Sequence, residues 1–187
     1  MSTPRAWTYD ELVVSEHDGG KLDFLLFWGH TPPASGELGP HVFSQWWHHP
    51  FEVDAATYPT AEHFMMAEKA RLFEDEGTLK EILTAESPAD AKACGRRVQG
   101  FTETLWKANR NDIVFRASVA KFGSDDELRR YIVGTGDSVL VEASPKDNIW
   151  GIGLGSDDNA ATKPTQWRGL NLLGFALMRA RAELAGV

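Results

Sequence analysis

Apolar and polar positions along the chain give the clearest pattern from Tyr58 to Phe73, where they read as a helix. Pro59 can precede or open it, Thr60 can cap its first N–H groups, and helix formers follow without a break. Glu68 and Arg71 supply a polar side. Glu62 and Lys69 lie on another face, about two turns apart. Met65 and Met66 lie between them, close to that face. Polar groups among apolar ones are costly unless paired or used, so this face is expected to look into a pocket.

The same reading places the other elements. The segment to about Gly20 is polar and acidic, with one apolar patch at Leu12-Val13-Val14, and reads as a peripheral element. Leu22 to Trp28 reads as a buried strand, Gly29 to Pro40 as a loop, and Phe51-Glu52-Val53 as a short strand with Asp54-Ala55-Ala56 turning into the helix. Thr78 to Glu81 and Ser124 to Glu127 have the form of capping boxes, and Ser87-Pro88-Ala89-Asp90 offers a cap with proline at the first helical position. A longer helix is expected from Thr102 to Phe122, ending at Gly123, and another from Ser124 to about Gly134. Ser138 to Ala143 is strand-like, Ser144 to Asn148 is a turn, and a last helix runs from about Asn171 to Leu184. The pattern predicts a mainly α fold with a few short β-strands. One domain is expected over 21–187, behind a peripheral segment 1–20.

Composition narrows the function. The chain has 187 residues, 42% hydrophobic and 25% charged, as expected of one globular domain. No apolar run approaches the ~18 residues of a membrane span, so no membrane partner is expected. The start of the chain lacks the apolar core of a secretory signal, and Cys94 is the single cysteine; both fit a cytoplasmic protein. A net charge of −8 disfavours a long nucleic-acid footprint. Seven tryptophans are the outlier, and one or two of them are expected to face a planar ligand.

Four stretches carry candidate chemistry. Glu62 and Lys69, if buried, would have shifted pKa values suited to acid–base or nucleophilic work. Gly95-Arg96-Arg97 can end a helix and present arginine to a phosphate, and Lys121 adds a cation at the end of the long helix. From Glu142 to Gly155, a strand ends in a carboxylate, Asp147 lies in a turn, and Trp150 precedes alternating glycines. Those glycines, Gly151 first, would let backbone approach a ligand. His41 to Pro50 sets Ser44 and Gln45 beside aromatics, as in a pocket wall. Its histidines lack the spacing of a metal site.

Taken together, Tyr58-Pro59-Thr60-Ala61-Glu62-His63, Lys69-Ala70, Gly95-Arg96, Trp106, Ala120-Lys121-Phe122, Leu140-Val141-Glu142, Asp147-Asn148-Ile149-Trp150-Gly151 and Asn171-Leu172-Leu173-Gly174 resemble the NADAR superfamily, also called the YbiA-like family. The resemblance runs from about Leu25 to Leu184. It implies an N-glycosidase without a metal or organic cofactor, in which Glu62, Lys69, Trp106, Asp147 and Trp150 match active-site motifs. The substrate it implies is a phosphorylated riboflavin-pathway N-riboside, releasing ribose 5-phosphate. The alternatives are ADP-ribose removal from guanine of nucleic acid or nucleoside, and a non-catalytic sensor of ADP-ribose or a related nucleotide. On that reading Asp147 or Glu62 stabilises positive charge at C1′ or activates water, and Lys69 is available for an imine route. Trp106 or Trp150 stacks on the base, and Arg96 holds the phosphate. The Gly29–Pro40 loop is longer than usual for the family, and Trp46-Trp47-His48-His49 replaces its commoner Asn-Phe motif.

Overall fold

A computed structural model describes residues 3–186, so residues 1, 2 and 187 at the ends of the expected segments lie outside the described part. It contains α1 (Tyr9–His17), β1 (Phe24–Phe27), β2 (Phe51–Val53), β3 (Ala56–Tyr58), α2 (Ala61–Leu72), α3 (Glu76–Leu83), α4 (Pro88–Gly95), α5 (Glu103–Gly123), α6 (Asp126–Gly134), β4 (Val139–Glu142) and α7 (Leu172–Ala185). The mainly α expectation therefore holds. No helix among the described residues is long and apolar enough to cross a membrane.

Helix α2 starts where its cap dictates. Thr60 accepts a hydrogen bond from the His63 N–H. The His63 ring then bolts this end in place: Nε2 donates to the Ala85 carbonyl at 3.2 Å, which leaves Nδ1 to accept from the Thr60 hydroxyl at 2.8 Å. Residues 61–67 of α2 are all buried. The expected division into a pocket face and a polar face is corrected accordingly: α2 runs through the core, packed against α3, α4 and α5. Its end is exposed enough for Glu68 to pair with Arg71 and Arg116, each at 2.7 Å.

Three local expectations are corrected. Tyr58 is not helical, because Ala56–Tyr58 pairs antiparallel with Phe51–Val53 through a two-residue turn at Asp54 and Ala55, both at positive φ. Thr78 does not open α3. Asp75 does, accepting from the Thr78 N–H at 3.0 Å and from the Gln99 N–H at 2.8 Å, so one carboxylate serves two segments. Ser124 does not cap α6 either. Its hydroxyl donates to the Lys121 carbonyl at the end of α5, and Asp125 caps α6. The Ser87 cap forms as expected.

The segment before β1 is stitched to the fold. Leu12 is fully buried, Trp7 Nε1 donates to the Asp137 carbonyl, and the buried Arg181 donates to the Arg5 carbonyl. Strands β1 and β4 form a parallel pair in which Phe27 is the register partner of Glu142. Being parallel, they bring the chain after Phe27 and the chain after Glu142 out at the same end.

Asn171 fixes that end. It is fully buried at φ 50°, its Oδ1 accepts from the Glu142 N–H at 3.0 Å, and its Nδ2 donates to the Leu140 carbonyl at 3.0 Å. Asn171→Ala is expected to destabilise the chain by about 2–4 kcal/mol, since two buried backbone groups lose their partners. Urea unfolding of the two proteins checks this.

Candidate active site

At the shared end of β1 and β4 lies a cavity of about 440 Å³, lined by Trp28, Gly29, His30, Ser44, Trp46, Lys92, Glu142, Ser144, Lys146 and Asp147. That volume lies in the usual range of small-molecule sites. Asp147 is held by its own turn, with Oδ1 accepting from the Ile149 and Trp150 N–H groups at 2.8 Å each.

Glu142 and Asp147 line this cavity, and Glu62, outside its lining, is electrostatically coupled to both. Glu62, at the start of α2, is 3% exposed, and its Oε1 has no partner. Burial lifts it to about 7 against the pull of Lys92, a hydrogen bond from the Trp46 side chain and Arg96, with Asp147 pushing it further up. Glu142, at the end of β4, also has a buried oxygen without a partner, Oε2. Burial, reinforced by Asp147 and Glu62 and opposed by Lys92, lifts it to about 8. Two raised carboxyl groups facing a third acid hold a proton near neutrality because like charges at low dielectric resist ionising together.

Two cations from α4 face these acids. Lys92 and Arg96 are four apart on one helix and so share a face. Both act on Glu62, and the Lys92 ammonium lies 5.7 Å from the Trp46 ring. Helix α4 can approach α2 this closely because position 95 is glycine, where a Cβ would overlap the Met66 side chain.

Some expected site residues fall elsewhere. Lys69, two turns along α2 from Glu62, is not part of the lining of this cavity. Its Nζ donates to the Gly95 carbonyl at 2.7 Å and lies 4.4 Å from the Phe101 ring and 5.6 Å from the Trp106 ring. It thus holds the α4 terminus that carries Arg96, and burial lowers its pKa. Lys121 is corrected as a ligand cation: it is 2% exposed and donates to the Val42 and Ser44 carbonyls at 2.6 and 2.9 Å. Its burial pushes it down to about 7. Gly151 is corrected too. It is buried, and a Cβ there would press on the Glu142 and Asp147 carbonyls, so the close approach it permits is to its own chain. Trp106 and Trp150 are half-buried outside the lining of this cavity, while Ser44 lines it.

Lys92 and Trp28 escape a reading of the sequence, which finds the Glu142 carboxylate but gives it no task. For Lys92 a signal exists in its spacing from Arg96. The fold contributes the rest, because only strand pairing sets Trp28 beside Glu142. Among the described residues no cluster of His, Cys, Asp and Glu could hold a metal. A larger cavity of about 620 Å³ lies between the N-terminal segment, α5 and α7, with Trp7, Tyr9, Trp167 and Phe175 in its wall. No carboxyl group lines it, so the chemistry is assigned to the smaller cavity.

A mainly helical domain in which buried acids face cations from a neighbouring helix can take a polar small molecule. The chain belongs to the NADAR family: the NADAR domain matches residues 26–185. It is 39% identical over 152 residues to N-glycosidase R617 of Acanthamoeba polyphaga mimivirus, covering 79% of this chain and 89% of that protein. N-glycosidase YbiA of Escherichia coli is 33% identical over 143 residues, 76% of this chain and 79% of that one. The NMR structure of the E. coli protein YbiA superposes with a TM-score of 0.69 at 30% identity, over 87% of this chain and 85% of that chain. Riboflavin biosynthesis protein PYRR of Zea mays is 36% identical over 181 residues, 92% of this chain but 26% of that larger protein.

The buried acid at position 62 has a cost in stability with a defined pH window. Its folded value of about 7 lies above the unfolded 4.5. Between those values the native state binds the extra proton, so stability is highest below the lower value and falls as pH rises to the upper one. Glu62→Gln is therefore expected to be stabilising at pH 8, on the order of 3 kcal/mol, and much less so at pH 5. Melting curves at the two pH values decide it, and an equal effect at both would contradict the assignment.

Proposed function

We propose that this chain is an N-glycosidase that splits the bond between ribose C1′ and an aminopyrimidine nitrogen in a phosphorylated N-riboside, as in riboflavin-pathway intermediates, releasing ribose 5-phosphate. The observation that carries this reading is a cavity of about 440 Å³ lined by Glu142, Asp147 and Lys92, with the buried Glu62 behind it under the influence of Lys92, Asp147 and Arg96. The N-glycosidase names of R617 and YbiA support the reaction, and that of PYRR supports the riboflavin connection.

The chemistry follows from what C–N cleavage demands. Positive charge develops at C1′ and is stabilised by a nearby ionised carboxyl group, while a water must give up a proton as it attacks. Glu62 and Asp147 are the groups for these two tasks, and Glu62 changes charge close to neutral pH. Arg96 and Lys92 receive the phosphate. The Trp46 and Trp28 indoles supply flat surfaces for the base. Lys69 enters as a positioning residue: through Gly95 it fixes the end of α4 from which Arg96 projects. The modest cavity favours a mononucleotide-sized substrate over an ADP-ribosylated nucleic acid. A cytoplasmic site of action agrees with the single, unbridged Cys94.

Incubation with 5-amino-6-(5-phosphoribosylamino) pyrimidines is expected to release ribose 5-phosphate. Turnover of ADP-ribosylated guanosine alone would move the function to that substrate, and binding without turnover of either would make the chain a sensor. Arg96→Ala should raise KM for the phosphorylated riboside about tenfold or more and leave KM for its dephosphorylated form nearly unchanged. An equal rise for both would separate Arg96 from the phosphate.

A further inference from the structure

We infer that Glu142 is a catalytic acid of this site, the group that delivers a proton to the departing amine nitrogen as the ribosyl bond breaks. The inference rests on the N-glycosidase reading above and gives a role to a residue that the motifs contain but assign no task.

The placement is specific. Glu142 closes β4, where Phe27 of β1 pairs with it and the Asn171 side chain takes its N–H. Its backbone is fixed further by a carbonyl that accepts from the Ser144 and Ile152 N–H groups at 2.9 and 3.0 Å. The backbone is thus committed on both sides while the carboxyl group lines the cavity with a buried oxygen that nothing in the fold satisfies. Purely structural carboxyl groups in this chain behave differently. Asp75 and Asp125, for example, are committed to backbone N–H groups of their own chain. A polar atom left unpaired in a rigid setting costs stability, and such costs concentrate where a ligand supplies the missing partner.

The surroundings decide which proton role it takes. Asp147 and Lys146 face it from the turn after β4, Lys92 from α4, Glu62 from α2 and His30 from the chain after β1. Burial and the two acids push Glu142 up to about 8. Of the two raised groups, Glu142 is the one that lines the cavity and so is placed to donate, with Glu62 the neighbouring acid coupled to it that can take up a proton. The step balances. The C1′–N bond breaks with its electron pair on nitrogen, which takes the Glu142 proton, and water adds to C1′ and gives its proton to Glu62. The products are the free amine and ribose 5-phosphate, and one proton passed from Glu62 to Glu142 restores the site.

The test is Glu142→Gln in the full chain, which keeps shape and hydrogen bonding but cannot give up a proton. The expected result is a kcat lower by about 10²–10⁴-fold with KM within threefold, and loss of the alkaline limb expected of wild type near pH 8. The loss should shrink for an N-riboside whose leaving amine is weakly basic and departs without a proton. Carbon-13 NMR of labelled glutamate should show one carboxyl resonance titrating near pH 8 that disappears in the variant. If the glutamine variant does not fold, Glu142→Asp is expected to fold and keep the alkaline limb. A kcat within threefold of wild type, a loss independent of the leaving group, or no carboxyl titrating above pH 7 overturns the role of Glu142. Wild type that cleaves no N-riboside overturns the proposed function itself, so the two failures are distinct.

Discussion

Removing carboxyl groups from water without giving them full partners is the constraint around which this molecule is arranged. Glu62 and Glu142 each keep a buried oxygen unpaired, and both sit where burial and neighbouring acids oppose ionisation. A protein stable by only 5–15 kcal/mol carries such groups because the rest of the fold over-determines their positions. Thr60, His63 and the Ala85 carbonyl fix the start of α2, and Asn171 fixes the end of β4. The two acids come from elements far apart in sequence and meet only because each of those ends is locked.

The cations are placed by the same logic. Gly95 lets α4 lie against Met66 of α2, and Lys69 ties down its last carbonyl, so Lys92 and Arg96 face the acids from one helix face. Lys121 works from inside. Its ammonium gathers the Val42 and Ser44 carbonyls and supports the segment that brings Ser44 and Trp46 to the cavity wall. Lys121, whose sequence context suggested contact with a ligand, is therefore a support for residues that line the cavity. A buried lysine is lowered in pKa whether it serves a ligand or a loop, and only the partners of its three protons tell the two apart.

Much of this was legible in the sequence, and the reason differs by element. Helices α2, α4, α5 and α7 announce themselves by period and by caps such as Thr60 and Ser87. The capping boxes expected at Thr78 and Ser124 failed because Asp75, three residues before the first, and Asp125, next to the second, accept two backbone N–H groups each. Glu62 was found because a carboxyl group in an apolar run is conspicuous, and Asp147 because turn, acid and indole coincide. Lys69 lies two turns from Glu62, and its tie to the Gly95 carbonyl could not be read from the sequence because it depends on how α4 packs on α2. Glu142 and Trp28 could not be joined from sequence, since their meeting depends on parallel pairing of strands more than a hundred residues apart.

The central claim is that the reacting centre of a phosphorylated N-riboside sits over the buried acids at the end of β1 and β4. A crystal structure with ribose 5-phosphate bound tests it most directly. The account predicts the C1′ hydroxyl within hydrogen-bond distance of Glu62, Glu142 or Asp147 and the phosphate against Arg96 or Lys92. Ribose 5-phosphate seated instead in the aromatic cavity beside Trp7 and Trp167, with the three acids untouched, would contradict it.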